Sequence, residues 1–315
     1  MNKTEQKTIV VGSDIGGSHI SCAAVDVRTH AIIEDTFTQE DVNNKEQAGV
    51  IIKQWSKAIL TTLGKAGIGE PSGVGLAMPG PFDYVNGIGR FEGVDKFEHL
   101  NGVDVGGMIR KELSLKKEVP IRFMNDATSF AVGAVWSDDR LEHENVLAIT
   151  LGTGFGSAFI IDSLPVIRDH RVPEMGCLYH LPFREGIADE TFSTRGIIKS
   201  YRGKSGYIVK GVKEIADRAL TDEQAAAVLQ QFGSELGHFL LPWIIRADIG
   251  HIIMGGNISR AYDLYGNAFE SALTDAGRDV QIRIMDETEL MAIMGSARLS
   301  DHSYWQKVLP LLKFM

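Results

Sequence analysis

Cysteine is nearly absent from the 315 residues, which contain only Cys22 and Cys177. Two cysteines cannot build a disulfide framework or a zinc site of three or four thiolates. Such sparse cysteine is typical of a reducing compartment. The chain has no run of about 18 apolar residues, which excludes a membrane-spanning helix. The N-terminal sequence MNKTEQKTIVVG lacks the features of a signal peptide, so we expect a cytoplasmic protein without a membrane partner.

Basic residues are also fewer than acidic residues. Lys and Arg total 32 against 41 Asp and Glu, which gives a net charge of −9. Because this balance does not favour binding to a polyanion, we expect no nucleic-acid partner. Hydrophobic residues make up 44% of the chain and charged residues 23%, proportions that allow a full core. The composition indicates a mildly acidic enzyme that acts on a small molecule.

A strand–turn–strand pattern occurs twice, at about half-chain spacing. Apolar and small residues on both sides of a glycine-rich turn form the pattern over residues 9–27 and again over residues 146–162. At a constant offset of 136 residues, the matched pairs are Asp14 with Thr150, Gly16 with Gly152, and Asp26 with Asp162. Roughly 100–200 residues make up a typical domain. The repeat therefore predicts two similar α/β domains that face each other.

Helix and strand patterns alternate along the rest of the chain. The spacing of apolar residues predicts helices over 47–63, 105–115, 127–136, parts of 211–245, 260–276, 289–299 and 303–315. Apolar runs predict strands over 74–78, 119–124, 251–254 and 280–285. Proline and glycine predict an irregular, functional insertion over about 163–206. We expect a first domain over 1–124 and a second over 125–299, with a C-terminal helix of about 300–315 that packs back on the first.

The two glycine-rich turns are candidate phosphate-binding elements. Glycine lets backbone N–H groups approach an anion closely, and such turns can form anion-binding nests. The carboxylate of Asp14, at the start of the first turn, could hold magnesium through water. The other candidate residues of the two turns are Gly16, Gly17, Ser18, Gly152, Thr153, Gly154 and Gly156. For each turn alone, an ordinary hairpin turn is the alternative interpretation.

Two further polar turns follow predicted strands. Asn125 and Asp126 stand between a strand and a helix, where a carboxylate could accept a proton from a substrate hydroxyl. Capping of the following helix is the alternative role for this pair. Gly255, Gly256 and Asn257 also join a strand to a helix and could line a nucleotide base with backbone. A plain strand-to-helix turn is the alternative there.

The irregular segment contains candidate sugar ligands. Carboxylates that accept pairs of hydroxyl hydrogen bonds suit sugar recognition, and Glu174 and Glu190 are the candidates. Two solvated surface glutamates are the alternative. One thiol at Cys177 with the scattered imidazoles of His170 and His180 falls far short of a structural zinc set.

Six motifs together resemble the ROK family of bacterial sugar kinases and sugar-responsive repressors, in the same order and over about residues 8–300. They are Asp14-Ile-Gly-Gly-Ser18, Pro79-Gly80-Pro81, Asn125-Asp126-Ala127, Gly152-Thr153-Gly154-Phe155-Gly156, Glu174-Met-Gly176 and Gly255-Gly256-Asn257-Ile258. The resemblance implies an α/β fold of two actin-like, ribonuclease H-like domains with a nucleotide in the interdomain cleft.

The resemblance also implies roles for these residues. Asp126 resembles the catalytic base, Asn125 and the Gly80 loop resemble sugar-binding elements, and Glu174 and Glu190 resemble two glutamates that contact sugar hydroxyls. We therefore expect a glucokinase-like, ATP- and Mg2+-dependent hexose kinase that phosphorylates the 6-hydroxyl and forms a homodimer. The alternatives are a catalytically silent sugar sensor and a ROK-type transcriptional regulator, although only about eight residues precede the first strand.

The sequence departs from the ROK pattern at the zinc site. ROK proteins usually follow the first sugar glutamate with Gly-His, but here Cys177 follows Gly176. The cysteine-rich motif before the second glutamate is replaced by residues 184–190, which contain no cysteine, so we expect no zinc. We expect a small local core to order the segment instead, tightening when sugar binds. Its members would be Leu178, Tyr179, Leu181, Phe183, Ile187 and Phe192.

Overall fold

The computed structural model describes residues 8–315, which form two compact units. The strands are β1 (Ile9–Ile15), β2 (His19–Asp26), β3 (Ala31–Ile32), β4 (Thr38–Asp41), β5 (Val74–Met78), β6 (Phe82–Asp83), β7 (Ile88–Gly89), β8 (Ile121–Asn125), β9 (Val146–Leu151), β10 (Phe155–Ile161), β11 (Leu164–Pro165), β12 (Pro182–Phe183), β13 (Gly186–Ile187), β14 (His251–Gly255) and β15 (Gln281–Ile284). The helices are α1 (Ala48–Lys65), α2 (Val105–Glu112), α3 (Asp126–Trp136), α4 (Ala188–Thr191), α5 (Thr194–Ser205), α6 (Val212–Arg218), α7 (Glu223–Arg246), α8 (Tyr262–Thr274), α9 (Thr288–Arg298) and α10 (His302–Leu312).

The boundary between the units differs from the expected one. The first unit runs to Glu142 and also includes Glu289–Met315, and the second unit is His143–Thr288. We expected the first domain to end at residue 124. The first unit continues further because α3, which follows β8 directly, packs on β5 and β8. Both α9 and α10 belong to the first unit as well, so the chain returns to it one helix earlier than the sequence pattern indicates.

The first unit is built on a mixed sheet with the order β3-β2-β1-β5-β8, and β4 also pairs with β2. The β1–β2 hairpin is antiparallel, whereas β5 and β8 run parallel to β1. All five residues of β5 are buried, as expected for a parallel strand covered on both faces. Helix α9 contributes Ile293, Met294 and Ala297 to a cluster with Val10 and Val25 of the hairpin.

The second unit repeats this arrangement with the order β11-β10-β9-β14-β15. Here β9 and β10 form the antiparallel hairpin, and β14 and β15 run parallel to β9. Strand order and direction are therefore the same in both units, which confirms the two similar α/β domains expected from the repeat. The long helix α7 is capped by Asp222, whose side chain accepts hydrogen bonds from the N–H groups of Gln224 and Ala225.

The repeat is not exact across the hairpin turns. Ile15 pairs with Ile20 across four residues, whereas Leu151 pairs with Phe155 across three. The offset of 136 residues holds for the first strand of each hairpin but becomes 135 for the second, since Ile20 corresponds to Phe155. The expected match of residue 26 with residue 162 is therefore wrong by one residue, because the second turn is one residue shorter.

The segment 163–206 is more regular than its composition indicates. It contains three short strands and two helices, and α5 alone covers twelve residues, Thr194–Ser205. The glycines at 196 and 203 favoured a loop in the sequence, but the buried side chains of Ile197 and Tyr201 hold the helix on the core. Within residues 8–315, no helix is both long enough and apolar enough to cross a membrane.

The apolar residues of this segment do not form a separate local core. Leu178 and Phe192 are fully buried in the main core of the second unit, with Leu181 and Phe183 packed against it. The ring of Phe192 lies within 4.9–6.0 Å of the rings of Phe155, Phe183, Phe232 and Phe239, measured between centroids. Tyr179 is 42% exposed. The segment is therefore held by the core of the whole unit.

Candidate functional site

In the first unit, three predicted site elements follow neighbouring parallel strands. Asp14 near the end of β1 pairs with Ala77 of β5, and Met78 at the end of β5 pairs with Asn125 of β8. The carboxyl ends of parallel strands meet at one edge of a sheet, where open α/β sheets bind their ligands. The fold therefore brings Asp14, the Gly80 loop and the Asn125–Asp126 pair to the same sheet edge.

Asn125 and Asp126 have different roles at the start of α3. Asn125 is the N-cap, and its Oδ1 accepts a hydrogen bond from the Thr128 N–H at 3.1 Å. The Oδ1 atom of Asp126 accepts hydrogen bonds from the Ala127 N–H and from Nδ2 of Asn125, both at 2.9 Å. No donor within residues 8–315 bonds the second oxygen of Asp126. The capping alternative thus applies to Asn125, which leaves one oxygen of Asp126 available to a substrate.

The loop after β5 is tied to Asn125 through Tyr84. The buried Tyr84 hydroxyl donates to the Met78 carbonyl at 3.1 Å and accepts from Nδ2 of Asn125 at 3.4 Å. Gly80 lies beside this hydroxyl, since a Cβ at position 80 would be 3.3 Å from it, and the Gly80–Pro81 peptide bond is cis. Tyr84 therefore orients the amide of Asn125, a role that its sequence context does not indicate.

Two carboxylates of the first unit act on a third, Asp14. Burial raises the pKa of Asp14 well above the ordinary aspartate value, and the negative charges of Asp126 and Glu289 raise it further. Carboxylate oxygens are the ligands that Mg2+ prefers, and a divalent cation would relieve this repulsion. Asp14 alone is a carboxylate that could help to hold a magnesium ion through water.

Glu289, in the first turn of α9, holds the strand that leaves the first glycine-rich turn. Its carboxylate accepts a hydrogen bond from the Ser21 hydroxyl at 2.9 Å and lies 3.2 Å from Nε2 of His19. No local sequence pattern indicates a role for Glu289. The spacing of α9 predicts its helix, but nothing in the sequence links residue 289 to residues 19 and 21.

The first glycine-rich turn leaves two consecutive N–H groups available. The Gly16 N–H donates to the His19 carbonyl at 2.9 Å and closes the turn. Asn44 bonds the Gly17 carbonyl from outside. In the part of the chain that the structure describes, the N–H groups of Gly17 and Ser18 have no acceptor, and both residues are exposed. This pair of donors could bind a phosphate oxygen.

The second turn repeats this property in the second unit. The Gly152 N–H donates to the Gly154 carbonyl at 3.0 Å, while the N–H groups of Thr153 and Gly154 have no acceptor among residues 8–315. Thr194 bonds the Gly152 carbonyl through its N–H at 2.8 Å and its hydroxyl at 2.9 Å. Asp189 accepts a hydrogen bond from the Phe155 N–H at 2.7 Å. The turn is thus held by α4 and α5.

The Gly255–Asn257 turn lies beside the second glycine-rich turn. Gly255 pairs with Thr150, and the Ile258 N–H donates to the Leu151 carbonyl at 3.0 Å. At Gly256, φ is 89°, and a Cβ would lie 2.4 Å from that same carbonyl oxygen, so only glycine fits there. The fold therefore brings the second turn and the Gly255–Asn257 turn together, and Asn257 is exposed.

The two predicted sugar glutamates lie at different places in the second unit. Glu174 is exposed at the start of a 3₁₀ turn, Glu174–Gly176. Glu190 lines a cavity of about 640 Å³ between the β12–β13 hairpin, α5 and α7. Arg184, which is ion-paired with Glu235, and Lys199 also line this cavity, whereas Glu174 does not.

Cys177 lies near only one of the two histidines of its segment. Its Sγ atom is 3.8 Å from Nδ1 of His180, and burial raises the pKa of its thiol to about 12. His170 instead pairs with Asp169. Across residues 8–315, no group of three or more His, Cys, Asp or Glu side chains could hold a metal ion. The expected absence of zinc remains a prediction, which elemental analysis of the purified protein tests.

Comparison with known proteins identifies the class. The model of the ROK family matches residues 10–301, so the chain belongs to the ROK family. The ROK hexokinase structure from Thermus thermophilus superposes with a TM-score of 0.76 and 18% identity, covering 95% of this chain and 99% of that one. The expected family and its actin-like α/β fold are confirmed.

Two curated relatives are sugar kinases. The N-acetyl-D-glucosamine kinase of Haemophilus influenzae (strain 86-028NP) is 25% identical over 278 residues, which are 81% of this chain and 86% of the relative. The glucokinase of Thermotoga maritima (strain ATCC 43589 / DSM 3109 / JCM 10099 / NBRC 100826 / MSB8) is 26% identical over 300 residues, which are 85% of this chain and 88% of the relative.

Proposed function

We propose that the protein is an ATP-dependent sugar kinase that transfers the γ-phosphoryl group of ATP to the 6-hydroxyl of a hexose or an N-acetylated hexosamine. Membership of the ROK family and two relatives that phosphorylate such sugars support the reaction class. The observation that carries the proposal is the division of roles at the start of α3. Asn125 caps the helix, and one carboxylate oxygen of Asp126 has no donor among residues 8–315.

Asp126 is the general base in this proposal. The Ala127 N–H and the Asn125 amide fix its Oδ1 atom, so the other oxygen faces the substrate hydroxyl in one orientation. That oxygen accepts the hydroxyl proton as the sugar oxygen attacks the γ-phosphorus in line. The bond between the γ-phosphorus and the bridging oxygen breaks, and ADP leaves with that oxygen. Phosphoryl transfer depends mainly on positioning and charge stabilisation, and a base with a fixed orientation contributes to the positioning of the hydroxyl.

The nucleotide binds to backbone in this proposal. The N–H groups of Gly17, Ser18, Thr153 and Gly154, which have no acceptor within residues 8–315, donate to phosphate oxygens. The Gly255–Asn257 turn lines the base. Backbone donors fixed before ATP binds need no reorganisation when charge develops on the phosphates. Bound Mg2+ neutralises phosphate charge, and Asp14 would hold it through water.

The sugar contacts come from Asn125, the Gly80 loop, Glu174 and Glu190 in this proposal. The Tyr84 hydroxyl orients the Asn125 amide, which makes Asn125 a preorganised ligand. Carboxylates such as Glu174 and Glu190 accept pairs of hydroxyl hydrogen bonds. Both glutamates are exposed, so each can turn toward a ligand.

An ADP-release assay over a sugar panel tests the proposal. The panel contains glucose, mannose, fructose, N-acetylglucosamine and N-acetylmannosamine, each with ATP and Mg2+. We expect sugar-dependent ADP release, and Asp126→Asn should lower turnover by about 10² or more while sugar binding stays within a few-fold. Asp104→Asn is the matched control, because Asp104 caps α2 through the Gly107 N–H and has no part in the chemistry.

Two outcomes would contradict the proposal. Absence of sugar-dependent ADP release over the whole panel would exclude the kinase. Near-normal turnover in Asp126→Asn would exclude Asp126 as the base.

A catalytically silent sugar sensor is the second candidate, favoured by Cys177 at the position where ROK proteins usually have a sugar-contacting histidine. Sugar binding without ADP release would support the sensor.

A further inference from the structure

The second glycine-rich turn is held in place by a carboxylate from a distant part of the second unit. Asp189, in the first turn of α4, accepts the Phe155 N–H at 2.7 Å through Oδ1. A Cβ at Gly154 would lie 3.2 Å from the same oxygen, so the carboxylate packs directly against the turn. Asp189 and Phe155 are separated by 34 positions in the chain.

Other contacts fix the carboxylate itself. Oδ2 of Asp189 is ion-paired with Arg195, and the Asp189 N–H donates to the Tyr179 carbonyl at 3.0 Å. The Asp189 side chain is only 18% exposed, whereas Arg195 is 58% exposed. Arg195 therefore neutralises a charge that would otherwise repel phosphate, while Oδ1 remains the acceptor for the turn.

We propose that Asp189 is a positioning residue for nucleotide binding: its carboxylate holds residues 152–155 in the form that presents the Thr153 and Gly154 N–H groups to ATP phosphates. This inference rests on the proposed function. Asp189 touches no reacting atom in this account. It acts through the N–H group of Phe155, and Phe155 is the first residue of β10 after the turn.

The hydrogen bond determines which variants test the inference. Asp189→Ala removes the acceptor and leaves the Phe155 N–H without its partner. Asp189→Asn keeps an acceptor oxygen but loses the charge and weakens the pairing with Arg195. Asp169→Ala is the matched control, because Asp169 makes the same kind of pair with Arg171 in the same segment, bonding its N–H and Nε at 2.8 Å, without touching the turn.

Calorimetric binding of a non-hydrolysable ATP analogue with Mg2+ is the primary measurement. We expect Asp189→Ala to raise the Kd of the analogue about tenfold, as for loss of a hydrogen bond to a charged group, with the Kd of the sugar unchanged. Asp189→Asn should stay within about threefold of wild type, and Asp169→Ala should match wild type. Hydrogen exchange at the Phe155 amide should become faster in Asp189→Ala and should stay slow in Asp189→Asn and Asp169→Ala.

The outcomes separate this inference from the proposed function. A wild-type protein that does not bind the analogue would overturn both. Wild-type binding with equal affinity in Asp189→Ala, or an equal loss in Asp169→Ala, would overturn the positioning role alone. If Asp189→Ala does not fold, Asp189→Glu replaces it, because the longer side chain keeps the charge but displaces the acceptor. Analogue affinity must then fall without a change in melting temperature, and unchanged affinity would refute the inference.

Discussion

At the scale of single residues, the carboxylate of Asp14 lies where its negative charge opposes folding. Burial disfavours the charged form, and Asp126 and Glu289 add repulsion, so the pKa of Asp14 lies well above its ordinary value. Carboxylates with such raised pKa values are concentrated at sites of binding and catalysis, where a ligand compensates for the cost. Asp14 is therefore expected to contribute to function and not to stability.

Replacing Asp14 with Asn should stabilise the protein at neutral pH and abolish phosphorylation. Because folding raises the pKa of Asp14, the folded state binds more protons than the unfolded state between the two pKa values. The free energy of unfolding therefore falls as pH rises from about 3.9 through the raised pKa. Thermal melts at several pH values should show a higher Tm for Asp14→Asn at pH 7 than for wild type, with the difference closing near pH 4.

Asp95→Asn is the control for this prediction, because the Asp95 side chain is almost completely exposed. Its Tm should follow that of wild type at every pH. A Tm of Asp14→Asn at or below the wild-type value at pH 7 would show that the Asp14 charge does not oppose folding.

Adjacent residues with the same chemistry limit what the sequence predicts at this scale. Asn125 and Asp126 can both cap a helix. The backbone angles at Asn125, φ −56° and ψ 144°, and the hydrogen bond from the Thr128 N–H assign the cap to Asn125. Asp189 and Glu190 are likewise adjacent acids. The sequence indicated a sugar-binding role for Glu190, whereas it is Asp189 that accepts the hydrogen bond from the Phe155 N–H at the glycine-rich turn. That bond spans 34 residues, so no local pattern indicates it.

At the scale of elements, helix α9 packs unusually close to the first sheet. A Cβ on Gly75 of β5 would lie 1.9 Å from the Ser296 carbonyl oxygen. The Ser296 hydroxyl accepts the Ser13 N–H of β1 at 3.1 Å and donates to the Ile293 carbonyl at 2.9 Å. This close approach places Glu289, in the first turn of the same helix, beside His19 and Ser21. The position of α9 thus supports one edge of the candidate site.

Gly75→Ala should force α9 away from the sheet. We expect a loss of about 1–3 kcal/mol in the free energy of unfolding, the usual effect of overpacking a close interface. Urea denaturation measures this change. Gly64→Ala is the control, because Gly64 lies exposed in α1 and a Cβ there meets nothing within 4 Å. It should be neutral or stabilise the protein by up to about 1 kcal/mol. Equal stability of the two variants would contradict the close packing.

Element types were predictable where periodicity was strong, and less so where glycine interrupted it. Helix α1 and strand β5 were predicted within two residues at each end, since their apolar residues follow a single period. Helix α5 was missed because Gly196 and Gly203 resemble loop residues. Its buried positions, Ile197 and Tyr201, are stabilised by contacts with α7 that only the tertiary fold supplies.

At the scale of the whole molecule, the two units differ in how the chain builds them. The core of the second unit is drawn from one continuous stretch of chain, from Leu147 to Leu273. The first unit takes Ile293, Met294 and Ala297 from the far end of the chain into its core. The repeat was visible in the sequence because both hairpins carry a glycine-rich turn. The domain boundary was not visible, because α3 is rich in small and apolar residues on every face, and its sequence does not indicate which sheet it covers.

This difference predicts how fragments behave. A fragment of residues 143–288 should fold alone, with a cooperative thermal transition by circular dichroism and dispersed amide signals by NMR. A fragment of residues 1–142 should not, because it lacks α9 and the core residues that α9 supplies. Adding residues 289–315 as a separate peptide should restore structure to that fragment. Cooperative unfolding of 1–142 by itself would contradict the assignment of α9 to the first core.

The most direct test of the central claim is the product of the reaction, followed by phosphorus NMR with ATP, Mg2+ and the sugar that gives the fastest ADP release. We expect a sugar 6-phosphate that accumulates in a one-to-one ratio with ADP in wild type, and at least about a hundredfold more slowly in Asp126→Asn. Formation of inorganic phosphate in place of a sugar phosphate, or equal product in both proteins, would contradict it.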